Sequence, residues 1–172
     1  YSLSQDRADS KRYPAVDPID SYSKYLEYDE VIEYLNANIS PGWVDSVIKA
    51  KDILLRGKEA KDQISILGDD GVPLDYHARF WKSELVDRII LVQDGFDPVD
   101  KSTPMKRQAY MLNLVLQVCD TPLAFDSFEE LQPYYTRLIN ALRQMNYQPF
   151  ESADFKKYES DLESILEERR DN

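Results

Sequence analysis

No Gly-x-x-x-x-Gly-Lys-Ser/Thr segment can be assembled from the five glycines of this 172-residue sequence, so the usual backbone cradle for a triphosphate is missing. A single cysteine, Cys119, excludes an internal disulfide, and its apolar neighbours Leu116 and Val118 mark it as a buried small hydrophobe rather than a reactive thiol. A single histidine, His77, has no cysteine partner. With only Asp75 beside it the pair is too sparse for a metal site, and a solvated or helix-start histidine is expected. Apolar runs are short, and the N-terminus has neither a basic start nor an apolar signal core, which argues against a membrane span or a secretory leader. The sequence opens at Tyr1 without a methionine, in a polar stretch that reads as the middle of a longer protein.

Positive charge is also in short supply. Lys and Arg number 21 against 32 Asp and Glu, a formal charge of -11 that repels phosphate backbones and anionic lipid surfaces. Nucleic acid is therefore not an expected partner. Carboxylate pairs such as Asp69-Asp70 and Glu129-Glu130 recur at this composition, and they read as solvated faces rather than acid–base machinery.

What is present begins with residues 1–40, irregular in pattern and dotted with tyrosines. Within them, the stretch KRYPAVDPIDSYSKY carries prolines at 14 and 18, each of which holds the residue before it extended. Tyr13 is thus presented from a stiff support. It either packs on a core as part of a connector or offers a flat surface to a ligand.

After Pro41-Gly42 the pattern turns helical. Val44, Val47, Ile48, Lys51, Leu54 and Leu55 predict a helix starting at Pro41 and ending at Gly57, followed by a shorter one over 59–67 that closes at Gly68. The segment GDDGVPLD, residues 68–75, is a turn by composition, and Gly68 and Gly71 are expected to supply backbone conformations that other residues resist. It leads into a helix with Trp81, Leu85, Ile89 and Val92 on one face. A break over 94–104 precedes a third long helix marked by Met111, Leu112, Val115 and Cys119. The strongest periodicity follows: Phe128, Leu131, Tyr135, Leu138, Leu142 and Met145 form a continuous apolar seam. Phe155, Tyr158, Leu162 and Ile165 repeat it, so the last two helices should pack antiparallel across 147–151, where Pro149 discourages continuation. The expected fold is all-α: a bundle of about six helices over 41–172, preceded by an irregular segment over 1–40.

The order of three blocks carries more information than any one of them. YPAVDPIDS, then KDILLRGKEAKDQISILGDDGVPLD, then FDPVDKSTPMKRQAYML resembles the C-terminal end of the catalytic subunits of rotary ATPases. The long helical tail makes the whole more similar to the catalytic A subunit of V-type (also called A-type) enzymes than to the F-type beta subunit.

This resemblance implies that residues 1–40 end a nucleotide-binding domain and that 41–172 form the helical domain facing a central rotor. It implies that Tyr13 and Phe96 line an adenine pocket, recognising the base rather than performing chemistry. It implies, further, that Asp69, Asp70 and Asp75 form an acidic rotor contact. The phosphate-binding loop, the water-polarising glutamate and the magnesium ligands would lie upstream, with an arginine finger from a neighbouring chain. ATP or ADP with Mg would therefore bind the full-length subunit, and this chain alone should hydrolyse nothing. The implied partners are B subunits and central-stalk rotor subunits, in the peripheral sector on the cytoplasmic side of a membrane. A different class of function, a free-standing acidic helical adaptor, would use the seam from Phe128 to Met145 to bind a partner helix.

Overall fold

The computed structural model describes residues 42–91 and 104–171. Gly42 adopts a left-handed conformation (φ 79°) with open space around it, and its carbonyl accepts the first helical hydrogen bond from Ser46 at 3.0 Å. From there α1 (Trp43–Leu67) runs for 25 residues without interruption. The expected stop at Gly57 is not used, and the two short helices predicted on either side of it are one.

The reason lies in the neighbouring helix. α2 (Leu74–Val86) returns antiparallel to α1 and extends as one π-helical stretch, Asp87–Leu91. A Cβ at Gly57 would stand 2.0 Å from Ser83 Oγ and 2.1 Å from Ser83 Cβ, so the absence of a side chain is what lets the two helices approach. Ala50 and Ala60, buried with Gly57, keep the same face of α1 thin. The glycine is a packing device, and its helix-propensity penalty of about 1 kcal/mol is offset by the contact it permits. Ile48 and Leu55, which share the helical spacing, are 49% and 40% exposed on the outer face.

α3 (Pro104–Asp120) carries Met111, Leu112, Val115 and Cys119 into the core as expected. α4 (Leu131–Asn146) follows a single 3-10 turn, Phe128–Glu130, and buries Leu131, Tyr135, Leu138, Leu142 and Met145 almost completely. Pro133 falls in its first turn, where a missing N–H costs nothing. α5 (Ala153–Glu167) starts at Ser152, whose hydroxyl accepts the Phe155 N–H at 3.1 Å. In the short connection Glu151 takes a left-handed φ of 63°.

α4 and α5 do pack antiparallel: Tyr134 Oη, near the start of α4, donates to the carbonyl of Ile165, near the end of α5, at 2.8 Å. Burial pushes the Tyr134 phenol up to about 12, so it stays protonated for this bond. Arg107 on α3 reaches the carboxyl end of α4, donating to the carbonyl of Met145 at 2.8 Å and to that of Gln148, a cation placed where the helix dipole favours one. After α5 the chain folds back on the 121–130 loop. Ala124 N–H donates to the Arg169 carbonyl and Asp171 N–H to the Pro122 carbonyl, each at 2.9 Å. Arg137 grips Glu168 with both terminal nitrogens at 3.1 and 2.7 Å, which holds that carboxyl below its ordinary range.

The described residues thus form a long helical hairpin, α1–α2, whose base is built into a core supplied mainly by α3, α4 and α5. The all-α expectation holds, with five α-helices among the described residues. None of these helices is long and apolar enough to cross a membrane.

Candidate functional site

At 1.5 Å per residue, α1 is about 37 Å long, and it ends at the tip of the hairpin. Gly68 closes it with a φ of 84° and an N–H that donates to Ile64 O at 2.8 Å. A left-handed residue with open space around it is a position for glycine on backbone grounds. Gly71 differs from expectation: it is absent from the left-handed region, and a Cβ there would meet Leu67 Cβ at 3.0 Å. Its constraint is steric. The chain then makes a 3-10 turn, Asp69–Gly71, and Pro73, extended at φ −61° and ψ 153°, starts α2.

His77 braces this turn. It is 6% exposed, contrary to the solvated histidine the sequence suggests, and its ring stacks on Phe128 at 4.8 Å between centroids. Its Nε2 lies 2.8 Å from the Asp69 carbonyl. Since a carbonyl can only accept, Nε2 carries the proton. The helix-start placement does hold, because His77 is the fourth residue of α2. One imidazole therefore ties the turn to its own helix and to the loop before α4. A sequence pattern offers no sign of this, since the bond runs to a backbone carbonyl eight residues away.

Replacing His77 by Phe keeps the stack and removes the bond, and should cost about 1 kcal/mol. Replacing it by Ala should cost about 1 kcal/mol more through the lost ring contact. Amide exchange across 68–75 should quicken in both variants relative to the parent chain, and unchanged exchange would show that the turn is held without His77.

The three acids of the tip are not equivalent. Asp69, Asp70 and Asp75 are all exposed. Asp75, in the first turn of α2, pairs with Arg79 at 2.7 Å, and Arg79 also lies 5.2 Å from the centre of the Tyr76 ring. Asp69 and Asp70 take part in none of the ion pairs among the described residues. Just before them Ile66 and Leu67 are 74% and 55% exposed. The tip is thus an apolar pair beside two uncompensated carboxylates.

Behind the tip, where α1, α2 and the Phe128–Glu130 turn meet, lies a cleft of about 350 Å³ walled by Ile64, His77, Phe80, Trp81 and Phe128. Tyr13 and Phe96 lie outside the described residues. Among the described residues no group of three or more His, Cys, Asp or Glu is arranged to hold a metal ion. Cys119 is buried, and burial pushes its thiol up to about 12, which rules it out as a nucleophile at neutral pH. The seam from Phe128 to Met145 is core rather than a groove, since all of it from Leu131 onward is buried. That removes the surface on which the adaptor reading depended.

Fold and site define an acidic all-α domain with a braced, exposed tip. No family model matches the chain. Over 167 residues it is 33% identical to the V-type ATP synthase alpha chain of Protochlamydia amoebophila (strain UWE25), covering 97% of this chain and 28% of that one. Over 155 residues it is 36% identical to the V-type ATP synthase alpha chain of Chlamydia abortus (strain DSM 27085 / S26/3), covering 90% and 26%. Against the V-type ATP synthase alpha chain of Borrelia duttonii (strain Ly) the identity is 30% over 170 residues, covering 99% and 27%. The chain belongs, along nearly its whole length, with the V-type ATP synthase alpha chains. It spans little more than a quarter of the length of these relatives.

Proposed function

We propose that this chain is the C-terminal part of the catalytic subunit of a V-type rotary ATPase, and that its hairpin transmits nucleotide-driven motion to a central rotor. The observation that carries the reading is the tip: a long helix ends in an exposed turn whose backbone is braced by the buried His77. A lever needs a stiff arm and a contact that slides. Exposed carboxylates suit the second requirement, because screened surface charges steer a partner without locking it. Residues 41–172 form the helical domain in this reading. Residues 1–40 end the nucleotide-binding domain, with Tyr13 and Phe96 against the adenine. ATP or ADP with Mg binds the full-length subunit in this reading, with the phosphate loop and the magnesium ligands upstream of these residues. The work done is ion transport, of H+ or Na+, or ATP synthesis. B subunits and the central stalk are the partners, on the cytoplasmic side of the membrane.

Alanine at Asp69, Asp70 and Asp75 together should leave nucleotide binding and the fold intact while changing torque or the coupling of hydrolysis to ion transport. Asp75→Ala alone should do least, because Arg79 already neutralises that carboxylate. Single-molecule rotation with parallel ion-pumping assays on the assembled complex is the measurement. Normal rotation and pumping by the triple variant would move the contact away from the tip.

For the adenine pocket, Tyr13→Ala in the full subunit should raise KM for ATP more than it lowers kcat, because base stacking is similar in ground and transition states. A loss of kcat at unchanged KM would instead place Tyr13 in the chemistry.

A further inference from the structure

Both legs of the hairpin are irregular at their feet. α2 passes into π winding over Asp87–Leu91, where each backbone ring takes in one residue more than in an α-helix. α1 begins at Gly42, which has a left-handed φ of 79°, open space around it and no side-chain cap bond. The two feet face each other across a small apolar gap lined by Trp43, Val86, Ile90 and, from α3, Leu112. A polar bond holds one of them: Asn146, the last residue of α4, donates from Nδ2 to the Ile89 carbonyl at 3.3 Å. Its mounting is fixed, because Arg107 of α3 donates to the carbonyls of Met145 and Gln148 on either side of it.

We infer that Asp87–Leu91 is a winding joint, in which α2 exchanges its π turn for α-helical winding, and that the Asn146 amide is the latch for the π-wound state. π winding is rare, occurs mostly as single turns and holds one residue in reserve. Releasing that residue moves the hairpin along its own axis by about 1.5 Å against α3, α4 and α5. Such sliding of packed helices is a common form of domain motion, and the side chains around the gap are all apolar, so they pass one another without exchanging hydrogen bonds. Gly42 lets the other leg follow, since nothing stands within 4 Å of where its Cβ would be. The links from α1 to α3, Ser46 to Asn113 and Lys49 to Asp120, are exposed, where water replaces a lengthened bond at little cost. The Asn146 bond is half-buried and lies on the turn that must rewind, so it weighs most. An ordinary helix cap would satisfy the same carbonyl without selecting a winding, and the experiment below reads that difference. The inference rests on the proposed lever and adds the place where its arm gives.

The test uses the full-length subunit with a trifluoroacetone label on Arg88→Cys, an exposed position inside the π stretch, and with its other accessible cysteines replaced by serine. Fluorine NMR reads the two windings as two resonances, or as one averaged resonance when exchange is fast. Asn146→Leu keeps the bulk and cannot donate, so it should raise the ratio of α-wound to π-wound subunits about fivefold, the effect of one hydrogen bond. Asn146→Ala should populate the same two positions in the same direction, and saturating ATP should shift the ratio in the parent subunit. A signal that neither splits nor moves in the parent, in the two variants or with ATP overturns the joint, while the rotation assay on the tip variants judges the lever separately. Two resonances in a ratio indifferent to both variants make the amide a plain helix cap and overturn the latch. A ratio that answers to Asn146 but not to ATP keeps the joint and overturns the lever reading instead.

Discussion

Gly57→Leu should cost about 3 kcal/mol or more and separate the hairpin. Even the first carbon of any side chain would stand 2.0 Å from Ser83 Oγ and 3.2 Å from the Arg79 carbonyl, so relief requires that α1 and α2 move apart. Backbone cannot give way as a flexible side chain can, and overpacking of this kind ordinarily costs about 1–3 kcal/mol before any further bulk is added. Gly57→Ala should cost less, because alanine recovers about 1 kcal/mol of helix propensity. The decisive comparison is the double variant Gly57→Ala with Ser83→Gly, which removes both close contacts with Ser83. It should recover most of the loss relative to Gly57→Ala alone, measured as a shift in denaturation midpoint at unchanged slope. If Gly57→Ala were neutral and the double variant no better, the helices would not be in contact at this point, and the rigid arm would lose its basis.

The second large effect is at the other end of the molecule. Phe155 is 2% exposed and lies against Phe150 and Tyr110, with ring centroids 5.4 and 5.8 Å away. Tyr110 in turn donates to Glu159, and burial together with that bond pushes its phenol up to about 12. This cluster ties α5 to α3. Truncating Phe155 to Ala should cost about 3–5 kcal/mol, through lost burial and the cavity left among rings that cannot collapse into it. Leucine at the same position should recover a substantial part. Hydrogen exchange distinguishes the two ways the loss can appear. Protection should fall in α5 and α4 together, because Tyr134, Arg137 and their partners join them. A fall confined to 153–167 would make α5 a separable element and shift weight away from the tail as part of the bundle.

The comparison of these two positions shows what was legible in the sequence. Phe155 announced itself: an aromatic recurring with Tyr158, Leu162 and Ile165 at helical spacing has a solvent-averse face, and a seam from Leu131 to Met145 was there to receive it. Gly57 read as a helix end, because the local rule treats an isolated glycine as a break and cannot register a second helix that needs the space. His77 was missed for the same reason. Its partners are a carbonyl on the tip and a ring beyond residue 120, and neither leaves a mark in the spacing of residues around 77. Ile48 and Leu55 share the helical spacing of Val44, Val47 and Leu54, and the spacing leaves open which side of α1 turns inward; the buried side carries the small residues Ala50, Gly57 and Ala60.

Taken by itself, the sequence determined helix content, the seams of α3 to α5, the excess of negative charge and, through the order of its motifs, kinship with the V-type alpha chains. Those properties are sums over local choices: side-chain periodicity, propensity and composition act within a few turns of one helix. Tertiary structure alone decided that α1 is a single unbroken arm and that one buried imidazole braces its tip. It alone gathered Ile64, His77, Phe80, Trp81 and Phe128 around a cleft behind that tip. Each of these depends on atoms brought together from distant parts of the chain, and close packing, which admits no Cβ at Gly57, is part of what selects them.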